Sequence, residues 1–252
     1  MPDEQQGLIA GFLPKVEPVT YQRNLIRQVI CELRFPTVYG LVRSKPPLEL
    51  ANSLRKSFPE HGIIDGVNVG PGGVAQEFTF FFKDKKRKNT VTFRSAALNV
   101  ESVAYSSFED LLDIILSASK AAKSTIDSEF FTRVGLRYIN ELPCDQTNID
   151  GWVNHDLVVP LIKGSLGTPR EYSGRVAATL FGGGFLLQHG ISRRENTESS
   201  FYTLDFDLWK EDVAFEELAS TLAALHESES RLFHWSIGPD ALAYMGPAKP
   251  KV

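Results

Sequence analysis

The sequence predicts an α+β fold: a mainly antiparallel sheet with its helices on one face, built from a β-α-β-β-β-α unit used twice. Segments 24–36 (NLIRQVICELRFP) and 130–143 (FFTRVGLRYINELP) alternate apolar and polar residues in the same phase. Val134 falls on Val29, Leu136 on Cys31, Tyr138 on Leu33 and Arg137 on Glu32. Each segment opens a similar series of elements. In both, strand-like runs are interleaved with longer stretches of helical spacing, the pattern of a sheet covered by helices.

Residues 1–20, with Pro2, Pro14 and Pro18 among polar residues, read as an irregular arm. The first half spans 21–128. Its opening strand sets Leu25, Val29, Cys31, Leu33 and Phe35 against Gln28, Ile30, Glu32 and Arg34, and Pro36 ends it. Pro46 and Pro47 suit the first turn of a helix carrying Leu48, Leu50, Leu54 and Phe58. Ile63 and Ile64 follow, then a loop over 68–73 containing Pro71 and Gly72. Strands are expected at 74–82, 90–95 and 97–105. Ser106 and Glu109 form a capping-box pattern before a helix with Phe108, Leu111, Leu112, Ile115, Leu116 and Ala122 on one stripe.

The second half spans 129–235. Its opening strand sets Phe130, Val134, Leu136, Tyr138 and Leu142 against Phe131, Arg133, Gly135, Arg137, Ile139 and Glu141. A short amphipathic segment with Ile149, Trp152 and Val153 gives out before Pro160. Beyond Gly164, Gly167 and Pro169, strands are expected at 175–181, 185–192 and 200–209, the first pair joined by a tight turn at Gly182, Gly183 and Gly184. Asp212 is the candidate N-cap of a helix bearing Phe215, Leu218, Leu222 and Leu225, residues 231–245 read as a further short helical or irregular segment, and 236–252 is the C-terminal tail. A duplicated unit of this order resembles the saddle of TATA-binding-protein-like and helix-grip folds, with the two opening strands side by side. Such a fold supplies no function by itself.

Composition fits a soluble globular protein: 42% hydrophobic and 23% charged residues, with mean hydropathy −0.14. A net charge of −4 lowers the expectation of a protein held on nucleic acid by its overall field. Cys31 and Cys144 stand in no metal-binding or disulfide spacing. The N-terminal run MPDEQQGLIAGFLPKVEP lacks the basic start of a signal peptide, and no apolar run approaches the ~20 residues of a membrane span. The expectation is a cytoplasmic protein without a membrane segment, cofactor or metal.

With the opening strands paired, the sheet face away from the helices carries Gln28, Glu32, Arg34, Arg133, Arg137 and Glu141, flanked by Arg175, Thr179, Thr203, Asp205 and Asp207. Guanidinium forks match carboxylate and phosphate geometry, so such a face suits an anionic ligand, an acidic peptide or a phosphate backbone. The plainer account is cross-strand pairing, Glu32 with Arg137 and Arg34 with Glu141, each worth at most ~1 kcal/mol. Lys83, Lys85, Lys86, Arg87 and Lys88 form a basic run that suits phosphate contacts, or simply a solvated hairpin tip beside a Phe-rich strand.

No catalytic set emerges. His226-Glu227 begins like the zinc motif HExxH, but Ser230 stands where the second imidazole is needed. His189 and His234 suit structural roles, and both glycine loops lead into strands, whereas a phosphate cradle opens a helix.

Three pieces together carry a resemblance: YQRNLI running into VICELRF, the central RVGLRYIN, and Leu225-His226 followed by Phe233 and a last short helix. They resemble a sporadically distributed family of uncharacterised prokaryotic proteins of about this length, over nearly the whole chain. The resemblance implies no catalytic residues.

The expected function is therefore a non-enzymatic binding or assembly module for a partner protein or peptide, with Arg133, Arg137, Glu32, Arg34, Arg175 and Asp205 as binding residues. Nucleic-acid binding through the basic run and the sheet arginines comes second. An enzyme using Arg133, Arg137, Asp205 and His189 comes third.

Overall fold

The computed structural model describes residues 10, 12–17, 19–41, 45–70, 73–164, 167, 169, 171–180, 182–193 and 200–246. The expectations placed on Pro2, Pro18, Pro71, Gly72 and Phe181, on the rest of 1–9 and on 247–252 lie outside these residues. Along the chain run β1 (Ile26–Arg34), α1 (Leu48–Leu54), β2 (Glu60–Gly70), β3 (Gly73–Lys83), β4 (Asn89–Arg94), β5 (Ala97–Ser102) and α2 (Phe108–Ile126). They are followed by β6 (Phe130–Leu142), α3 (His155–Ile162), β7 (Tyr172–Leu180), β8 (Gly183–Arg193), β9 (Ser200–Ala214), α4 (Leu218–Ser236) and α5 (Pro239–Met245).

The fold is α+β, and its described strands form a nine-stranded antiparallel sheet in the order β2-β3-β4-β5-β1-β6-β9-β8-β7. The chain divides into two compact units. The first comprises Met1–Arg27, Arg137–Leu208 and Ala224–Val252; the second comprises Gln28–Leu136 and Trp209–Ala223.

Alternation decides which face each strand buries. In the second unit Val29, Cys31 and Leu33 of β1, Phe80 and Phe82 of β3, Val91 and Phe93 of β4 and Leu98 and Val100 of β5 are buried, and α2 contributes Leu111, Ile115, Ala118 and Ala122. In the first unit Tyr138, Tyr202, Leu204, Phe206 and Leu225 are buried. Each fully buried side chain of this size contributes roughly 1.5–3 kcal/mol over an exposed one. Burial also pushes the Cys144 thiol up to about 12, so it is an apolar residue of the core with no nucleophilic character at neutral pH.

Several expectations are corrected. Residues 60–70 form a full strand where a short segment and a loop were expected, because β2 pairs with β3 from Glu60↔Lys83 to Gly70↔Gly73. Gly62 lets the Phe81 ring lie where a Cβ would stand. The first half therefore carries one strand more than the second. The cap of α2 is Ser107, whose hydroxyl accepts from the Asp110 amide at 3.1 Å, while Ser106 bonds the Asp110 carboxylate at 2.6 Å. α3 starts later than the expected segment: Asn154 caps it, and Pro160 lies inside it. Phe130 is exposed and Phe131 buried, the reverse of what the alternation from Val134 onward suggests. Phe131 packs at 4.2 Å between ring centroids on Phe215. Asp212 caps nothing. It takes a left-handed φ of 53° within β9, and a 3-10 turn at Phe215–Glu217 leads into α4.

Candidate functional site

Residues of β7, β8 and β9 with the opposite parity to the buried set build a polar surface in the first unit. The register Arg175↔Gln188 puts those two side chains side by side. Ser192 and Thr203 share a hydroxyl contact of 3.2 Å. Asp205 is gripped by Arg137 through a two-pronged bond, Nε at 2.8 Å and Nη2 at 2.6 Å. Those bonds raise the Arg137 pKa further, with the Asp207 charge adding to the effect, so the guanidinium is permanently charged and committed to Asp205. Arg175 is exposed and, among the described residues, has no ion-pair partner. Arg175, Gln188, Ser192, Thr203 and Asp205 line a recess of about 420 Å³.

β7 is the last strand in the sheet order, so among the described residues no strand pairs with its outer edge. Its sequence, YSGRVAATL, holds none of the lysines, acids or prolines that keep such an edge from pairing. Val176 is 45% exposed there.

The second unit brings together a different cluster. The Glu32 carboxylate meets Arg34 Nε at 2.5 Å, Arg133 Nη1 at 3.1 Å and Arg94 Nη2 at 3.6 Å. The Arg133 guanidinium lies 5.3 Å from the centre of the Trp209 ring. Glu32 thus pairs with arginines of its own unit, and Arg137 with Asp205 of the first, where pairs of Glu32 with Arg137 and of Arg34 with Glu141 were expected. The Glu141 amide donates to the Leu25 carbonyl at 2.9 Å, and antiparallel residue numbers then run in opposite directions, which sets Glu32 beside Arg133. Glu141 faces Arg27 at 3.7 Å instead.

The basic run is a hairpin tip organised from within. Asp84 accepts from the Lys88 and Asn89 amides, Arg87 takes a left-handed φ of 54°, and its Nε bonds Glu60 at 2.7 Å. Lys83 lies over the Phe81 ring at 5.4 Å, while Lys85, Lys86 and Lys88 are exposed.

Three histidines are tied into the core. His189 Nδ1 and the Tyr202 hydroxyl are 2.6 Å apart, and burial lowers the imidazole pKa. His226 Nδ1 lies 3.0 Å from the Tyr138 hydroxyl. His234 Nδ1 donates to the Ser230 carbonyl at 2.7 Å, and its Nε2 lies 2.8 Å from the Tyr21 hydroxyl. The His226–Ser230 run lies within α4, where Glu227 pairs with Arg231 at 2.6 Å. Among the described residues no three metal-ligating side chains converge, and no helix is long and apolar enough to cross a membrane.

Of the expected binding residues, Arg137, Arg175 and Asp205 belong to the first unit, and Glu32, Arg34 and Arg133 to the second. Gln188, Ser192, Arg94, Asn99 and Trp209 were missed. Strand parity marks each as lying on the polar face, but which strands are neighbours is not written in parity. No protein-family model matches the chain, and no curated protein matches it.

Proposed function

We propose that the protein is a non-enzymatic binding or assembly module that receives an extended segment of a partner protein along the outer edge of β7. The observation that carries this is the recess beside that edge, with the unpaired Arg175 in its wall. A strand added to β7 gains main-chain hydrogen bonds from the edge and places every second side chain over the recess. Arg175 then selects an acidic side chain, and Asp205, already held by Arg137, disfavours a second one. The internal duplication and the saddle-like arrangement, with helices on one face, belong to the same proposal. They are supported by the matched burial of Val29, Cys31 and Leu33 with Val134, Leu136 and Tyr138, and by the adjacency of β1 and β6. Membership of the prokaryotic family that the sequence resembles is proposed alongside them.

Selection from a displayed library of linear peptides tests the function. The expected result is enrichment of extended sequences with one acidic residue at a fixed position, and a loss of affinity of about tenfold or more in Arg175→Ala, the effect of removing one charge-assisted hydrogen bond. Enrichment without an acidic position, or affinity unchanged in Arg175→Ala, overturns it.

A further inference from the structure

Independently of the β7 edge, we infer that the chain forms a two-fold symmetric dimer in which the outer edge of β2 pairs antiparallel with β2 of a second copy, centred on Ile63. β2 is the first strand in the sheet order, and among the described residues no strand pairs with its outer side. Among those residues, no backbone hydrogen bond outside the strand ladders and helices reaches 60–70 either, so the outward N–H and C=O groups of β2 are unpaired. Such an edge is a template for another strand, and its main-chain bonds are the same whichever strand arrives. The side chains decide which one does.

The edge carries an apolar and a charged signal together. Ile63 and Ile64 are 39% and 56% exposed. His61 and Asp65 flank them, and both are exposed. Among the described residues Asp65 has no hydrogen bond or ion pair, and His61 only stacks on Phe82 at 6.4 Å. A bare carboxylate on an edge strand disfavours any added strand that brings no donor to it. β2 brings one itself.

Strand parity sets His61, Ile63 and Asp65 on one side of the strand. With the two-fold axis through Ile63, His61 of each copy stands opposite Asp65 of the other, their Cβ atoms about 4.5–5.5 Å apart, and the imidazole N–H reaches the carboxylate. Ile63 meets Ile63 on the axis. On the other side of the strand Ile64 stands opposite Gly62, where the Phe81 ring lies in the place of a Cβ, so Ile64 packs on that ring. Glu60 comes opposite Gly66 and is already held by Arg87 at 2.7 Å, so no second bare acid enters the pairing. The ladder stops there, because the next residue outward is Pro59, which has no N–H to give. Other centres are worse. An axis through Asp65 sets two carboxylates face to face, and one through Ile64 sets Asp65 against Ile63. The carboxylate that turns other strands away therefore fixes this register.

Sedimentation velocity on the full chain from about 1 to 100 µM tests the dimer. The expected result is a concentration-dependent species of twice the 28.1 kDa chain mass and nothing larger, because a closed two-fold contact uses each β2 edge once. Asp65→Lys should raise the dissociation constant by about tenfold or more, since it sets a lysine opposite His61 at both ends of the ladder. His61→Glu combined with Asp65→Lys should restore it to within about threefold of the parent, with the charges exchanged. Residues four apart in one strand lie about 13 Å from each other, so this rescue comes only from across the axis. Arg175→Ala should leave the dimer unchanged. A chain that stays monomeric up to about 100 µM, a mass that grows without limit, a dimer indifferent to Asp65→Lys, or a double variant as weak as Asp65→Lys alone overturns the inference.

Discussion

Replacing Glu229 with glutamine is expected to stabilise the protein strongly above neutral pH and to leave it unchanged in acid. Glu229 lies in α4 at 6% exposure, and burial alone pushes its pKa up to about 8. Arg231, two residues on, is directed elsewhere: its guanidinium bonds Glu227 at 2.6 Å and the Leu13 carbonyl at 3.0 Å. The folded chain therefore keeps the Glu229 proton at pH values where the unfolded chain releases it. Below the ordinary carboxylate pKa both states are protonated and the residue has no effect. As pH rises from there to about 8 stability falls, and above about 8 the loss is complete. The full loss is on the order of 5 kcal/mol. Glutamine keeps the shape and removes the titration. At pH 8 the thermal midpoint of Glu229→Gln should exceed that of the parent by roughly 8 °C or more, and at pH 4 the two should coincide. Parallel curves of midpoint against pH would show that the carboxyl is not held neutral.

The second large effect is expected at Gly190. A Cβ there would overlap the Tyr172 carbonyl and lie 2.9 Å from the Ser173 Cα, so the obstruction is backbone and no side-chain rotation relieves it. Gly190→Ala must prise the start of β7 from β8, where Ser173↔Gly190 and Tyr172↔Ile191 pair. A destabilisation of about 3 kcal/mol follows, with loss of the recess. Gly182→Ala is the control. That position has a left-handed φ of 72° but nothing within 4 Å of a Cβ, and its replacement should cost about 1 kcal/mol and leave β7 in place. Urea unfolding of the two variants separates these cases, and equal effects would contradict the contact at Gly190.

The sequence shows some of this clearly and some not at all. Alternation located β1 and β3, because one face of each is packed and the other is not: Val29, Cys31 and Leu33 in the first, Phe78, Phe80 and Phe82 in the second. The same rule missed β2. Gly62, Gly66 and Asp65 give it little strand character of its own, and its pairing with β3 supplies what its residues lack. It also missed that Phe131 and not Phe130 is buried, since the Phe215 ring that covers it comes from a distant part of the chain. Ser106 and Ser107 are equally good caps on paper, and only the geometry of the first turn distinguishes them.

The polar face was legible as a set of residues but not as sites. Glu32, Arg34, Arg133, Arg137, Arg175 and Asp205 follow from parity. Their grouping depends on hydrogen-bond register, and so do the pairing of Arg137 with Asp205 and the arrival of Arg94 beside Glu32. Trp209, the last residue of the expected strand, joins the arginine cluster through the Arg133 guanidinium that lies over its ring, a contact that parity alone does not give.

Amide hydrogen exchange of β7, measured with and without a peptide selected on the protein, tests the central claim most directly. If a partner strand adds to the open edge, amides between Ser173 and Thr179 that exchange quickly in the free protein become protected in the complex, and those of β2 at the far end of the sheet order do not change. Protection confined to other elements, with β7 exchanging as before, would contradict it.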